Sequence, residues 1–88
     1  MITDQECFNI AEFLTHNKDY LKQKLTLSYH KAKNMDRPTA CSYIEDHIKY
    51  QLAEHTKYTP TDIEHAFCDE RVRIVVDKLF LKDFYYEH

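Results

Sequence analysis

The chain contains no glycine. Phosphate-cradling loops use glycine so that backbone can close on the ligand, and dinucleotide fingerprints and nucleophile elbows use it for tight turns. All three are excluded in their usual forms. Two-residue hairpin turns also favour Gly or Asn at positive φ, so short hairpins are disfavoured. Helices can still end without a glycine cap, because Asn tolerates the left-handed conformation. Asn17 and Asn34 stand where two helices are predicted to stop.

Other absences narrow the reading further. No stretch approaches the roughly 20 apolar residues of a membrane span. The opening segment MITDQECFNI is acidic where a signal peptide is basic. Three cysteines, an odd number without a repeating spacing, suit reduced thiols in a cytosol, so a cytoplasmic location is expected. No internal repeat or low-complexity tract interrupts the 88 residues, which bounds the chain to one small domain over 1–88. A net charge of −3 with His neutral disfavours a protein that grips phosphate backbones. Seven Tyr and five Phe exclude a disordered chain.

What is present is helical periodicity. Thr3 followed by Glu6 is a capping-box pattern. Behind it Cys7, Ile10, Ala11 and Leu14 form a stripe, widened by Phe8 and Phe13, for a helix over Asp4–His16. Leu21, Leu25, Tyr29, Ala32 and Met35 share a face of a second helix over Lys18–Asn34. Lys22, Lys24, Lys31 and Lys33 make that segment basic, which reads first as a solvated face and second as an anion or nucleic-acid patch. Pro38 is allowed only in a first turn, so a third helix runs over Pro38–Thr56, capped by Asp36 or Thr39. Thr59, Pro60 and Asp62 start a fourth. Its inner side is Ile63, Ala66, Phe67, Ile74 and Leu81, and a break is expected near Asp69. The predicted fold is therefore all-α with about four helices. The β-branched run VRIVV followed by LFLKDFYY leaves a C-terminal β-hairpin as the minority alternative.

The third helix organises the functional reading. Winding it at about 100° per residue gathers Cys41, Ile44, Ile48 and Leu52 on one side and Tyr43, His47 and Tyr50 on the other. Asp46 and Glu54 flank the tyrosines. Tyr43, Tyr50, Tyr58, Tyr85 and Tyr86 are more aromatics than one small core readily hides, and Tyr is favoured at interface hot spots. A partner-binding face of Tyr43, Asp46, His47, Tyr50 and Glu54 follows, for a protein or nucleoprotein partner. Val72, Val75, Val76 and Leu79 make a second apolar side that suits a homodimer contact.

Two kinds of chemistry are considered and set aside. His65 and Cys68, three apart, would share a helix face with His47 and His55 nearby in sequence, but no C-x-x-C or H-x-x-x-H accompanies them, so no metal or other cofactor is expected. Cys41 and Cys68 are expected in the core. Cys, His, Glu45, Asp46 and Glu64 supply catalytic residue types, yet nothing in their spacing assembles them, and no enzymatic activity is expected.

From Ile48 to Phe67 the chain resembles the helix-turn-helix family of DNA-binding proteins. Ala53 is the small residue of the first helix, Tyr58 the apolar residue after the turn, Thr59 the cap, and Ile63 and Ala66 the inner face of the second helix. Lys57 stands where that family usually has glycine. The resemblance implies DNA contacts from Thr59, Thr61, His65, Arg71 and Arg73. Asp62, Glu64, Asp69 and Glu70, also on that helix, oppose such contacts. The expected function is thus a small cytosolic regulator or inhibitor that binds a macromolecular partner, of the phage or mobile-element type that includes inhibitors of host nucleic-acid machinery such as anti-CRISPR proteins. The alternative is a DNA-binding transcriptional regulator.

Overall fold

The computed structural model describes residues 2–86; the side chain of Tyr86 lies outside that description. Among the described residues the chain is all-helical, with no strand. In order the elements are α1 (Asp4–His16), α2 (Lys18–Lys24), α3 (Thr26–Ala32), α4 (Arg37–His55), α5 (Pro60–Ala66), α6 (Glu70–Val76), a π-helical turn (Asp77–Leu81) and α7 (Lys82–Tyr86).

α1 forms as its pattern predicts. The Thr3 hydroxyl accepts from the Glu6 N–H, and the Glu6 carboxylate accepts from the Thr3 N–H, which closes the capping box. Cys7, Ile10, Ala11 and Leu14 are buried, while Phe8 is half-exposed. Asn17 ends the helix at φ −111°, not in the left-handed region, and no described residue has positive φ.

The predicted second helix is two. Its ladder is interrupted at Leu25, where φ −96° and ψ 10° leave the helical basin. Thr26 supplies a reason: its hydroxyl donates to the Gln23 carbonyl at 2.8 Å, a back-bond that bends a helix. Leu21, Leu25 and Ala32 are buried on both sides of the bend, so burial holds the two pieces to one line.

The predicted fourth helix divides three ways. Thr59 caps α5 by accepting from the Asp62 N–H, and Pro60 takes the first turn. The break expected near Asp69 is there: Asp69 caps α6 by accepting from the Arg71 N–H. VRIVV and LFLKDFYY are helical, so the hairpin alternative is not what forms. Val72, Val76, Phe80 and Leu81 all reach the core from these elements. The added residue per turn between Asp77 and Leu81 re-phases the helix. Ile74, predicted to face inward, is half-exposed.

α4 is the central rod, with α3, α5, the π-helical turn and α7 against it. Its 19 residues give a length of about 28 Å at 1.5 Å per residue. Ala40, Cys41, Ile44, Ile48 and Leu52 form its buried stripe. α1 lies across α5 and α6 and supplies Ile10 and Leu14 to the same core. Arg73 on α6 donates to both carboxylate oxygens of Glu45 on α4, at 2.6 and 3.2 Å, and to Asp77 at 2.9 Å. One guanidinium thereby ties α4, α6 and the π-helical turn.

Candidate functional site

The outward face of α4 carries the residues the sequence singled out, but unequally. Tyr50 is 60% exposed. Asp46 and Glu54 are exposed with it. Tyr43 is only half-exposed and packs against the core. His47 covers Tyr43, with ring centroids 4.4 Å apart and planes at 51°. Its Nδ1 lies 2.8 Å from the Tyr43 carbonyl one turn earlier. A carbonyl only accepts, so Nδ1 is the donor in this contact. The exposed aromatic of this face is therefore Tyr50, while Tyr43 and His47 pack together beside it.

Tyr50 and Asp46 edge a shallow hollow of about 230 Å³ between α4 and α5, lined also by Lys49, Ala53, Pro60 and Ile63. Glu64 closes the rim and accepts from Lys49 Nζ at 2.7 Å. That ammonium also sits 5.3 Å from the centroid of the Phe67 ring. The hollow is apolar at its base and carries charge at its edge, the usual anatomy of a small protein interface.

The other sites weighed from the sequence are dispersed. Thr61 and His65 are exposed on α5, and the Thr59 hydroxyl is occupied by its cap bond. Arg71 binds Asp69 through Nε and Nη2 and lies 3.4 Å from Asp4. That pairing holds the Asp69 carboxyl below the usual carboxylate range. Arg73 is committed to Glu45 and Asp77. Neither arginine presents an unpaired cation beside α5. Val72 and Val76, two of the four suggested dimer residues, are fully buried within the monomer, and Val75 and Leu79 are half-buried.

Cys68 is exposed rather than in the core, whereas Cys7 and Cys41 are buried. Burial pushes both buried thiols up. His55 turns its ring edge to Tyr20 at 5.7 Å. Among the described residues no group of three or more His, Cys, Asp or Glu is placed to hold a metal ion. Among them too, no helix is long and apolar enough to cross a membrane.

One feature lay below the resolution of sequence periodicity. Tyr29 donates its hydroxyl to the Phe80 carbonyl at 2.7 Å, across 51 residues, and lies nearly parallel to Phe84. Burial, aided by Asp83, pushes the phenol far above its ordinary value, so it stays a donor. Only the position of α7 against α3 creates this pair, and no local pattern signals it. No family model, curated protein or solved structure matches this chain.

Proposed function

We propose that this protein is a small regulator or inhibitor that works by occupying a macromolecular partner through the outward face of α4. The observation that carries the reading is Tyr50, a large aromatic left 60% exposed between two exposed carboxylates at the lip of an apolar hollow. Leaving such a ring in water has no benefit to the monomer, and docking it recovers its hydrophobic free energy. Asp46 and Glu54 favour a partner with a basic or mixed surface, and long-range attraction sets the rate of encounter. Packing of His47 on Tyr43 restrains both side chains, which limits the ordering cost of docking. The action is steric: the partner's own surface is covered. A phage or mobile-element inhibitor of host nucleic-acid machinery, anti-CRISPR proteins among them, fits this mode. That narrower assignment rests on size and mode of action, not on any residue.

The test is affinity capture from native cytosol with the wild-type chain, Tyr50→Ala and Asp46→Lys. A partner held by the wild type and lost by both variants, at unchanged melting temperature, supports the reading. Retention by both variants removes the α4 face from the site.

The second reading is a helix-turn-helix regulator built from α4 and α5. Exposure of Thr61 and His65 favours it. The pairing of Arg71 and Arg73 with carboxylates weighs against it, because phosphate contacts need free cations. Salt-dependent duplex binding abolished by Thr61→Glu would reverse that order.

A further inference from the structure

Positive charge is concentrated in one stretch of this acidic chain. Between residues 18 and 37 six cations (Lys18, Lys22, Lys24, Lys31, Lys33 and Arg37) stand against two carboxylates (Asp19 and Asp36), giving +4, so the remaining residues carry −7. Elsewhere Lys49, Arg71 and Arg73 are paired with carboxylates, while among the described residues Lys57, Lys78 and Lys82 are not. Among the described residues no carboxylate comes within 4.0 Å of any of the six. Lys22 is half-buried and still without an anion. A lysine with no carboxylate beside it keeps its charge available to an external anion.

Three of those cations are aligned: Lys18, Lys22 and Lys33 fall, with Thr26 and Tyr29, on one line of a helix wound at about 100° per residue. Two adjoining hollows follow it. One, of about 200 Å³, is lined by Lys22, Thr26, Tyr29, His30 and Lys33. The other, of about 230 Å³, shares Lys22, Tyr29 and Lys33 and continues to Asp83 and Phe84. Tyr29 and Phe84 there have planes 10° apart.

We propose that this groove, from Lys22 to Lys33 along α2 and α3 and across to Phe84 on α7, is a docking surface for single-stranded nucleic acid. The lysine line tracks the phosphates. Phe84, partly buried and stacked on Tyr29, lines the hollow and leaves an aromatic rim against which an unpaired base can lie. Asp83 can accept from an exocyclic base amine, a donor that an acidic side chain does not offer. The base–aromatic contact requires an unstacked base, which favours a single strand over a duplex. This surface is separate from the α4 face and from α5, so it stands or falls independently of the proposed function.

The test is fluorescence anisotropy of a labelled oligothymidylate of about 12 nucleotides with the full chain. Neutralising three phosphates gives a salt slope near −2, so affinity should fall about 100-fold from about 20 to about 200 mM NaCl. Lys22→Glu with Lys33→Glu should weaken binding at low salt at least tenfold without moving the melting temperature. Phe84→Leu, which keeps an apolar side chain, should weaken it several-fold. Absence of binding at about 100 µM protein and low salt overturns the proposal, since even non-specific binders are seen there. So does binding unaffected by the lysine reversals, stronger binding to duplex of equal length, or displacement by polyglutamate as readily as by oligothymidylate, which would mark an acidic-peptide groove.

Discussion

Tyr43 and Tyr50 sit seven residues apart on one helix face and do different work. Tyr43 is wedged against the core beneath His47, so truncation removes packed area. Tyr43→Ala should cost about 1–3 kcal/mol of unfolding free energy, read as a lower urea midpoint at unchanged m-value. Tyr50→Ala should stay within about 0.5 kcal/mol of wild type, as surface changes do. Equal losses at the two positions would mean that Tyr50 is also packed. Asp69 gives a second residue-scale expectation. Its carboxyl lies below the ordinary value, first because Arg71 donates to it. A folded-state pKa below the unfolded one adds stability above the unfolded value, about 3.9, and that contribution fades as pH falls through the lowered folded value. Asp69→Asn should therefore flatten the acid limb of a stability–pH profile below about pH 4. An unchanged limb would show that the Arg71 pair does not persist in solution.

Helix boundaries marked by side chains were legible in the sequence, and those made by geometry were not. Thr3 with Glu6, Pro38, and Thr59 with Pro60 place three starts to within one residue, because caps and prolines act on the backbone beside them. Thr59→Ala should cost about 1 kcal/mol in thermal or urea unfolding. The bend at Leu25 was missed because one threonine back-bond carries it inside an otherwise helical pattern. The π-helical turn is not legible because it lies inside one continuous helical run between α6 and α7, where no cap or proline marks it. Of the candidate site, the periodicity of α4 gave the shared face, while the difference between its two tyrosines depends on neighbouring helices. Ile74 shows the same limit: once the helix breaks at Asp69 and re-phases at Asp77, a continuous winding no longer tells inside from outside.

At the scale of the molecule, one arginine joins three elements. Arg73 links Glu45 of α4 to Asp77 of the π-helical turn while rooted in α6. Glu45 has a side chain only 18% exposed, so removing its cation strands a half-buried carboxylate. Arg73→Ala should lower stability by about 1–3 kcal/mol, and adding Glu45→Gln should return part of it, because the stranded charge is then gone. A double variant no better than the single one would place the loss in packing of the arginine stem instead.

The backbone has a consequence for anyone who mutates this molecule. With no positive φ among the described residues, no site there is reserved for an amino acid without a β-carbon. Apart from proline, a saturation library would then report lost contacts and misplaced charge alone. Steric intolerance of the main chain itself, which confounds such maps in most small domains, would be missing from this one.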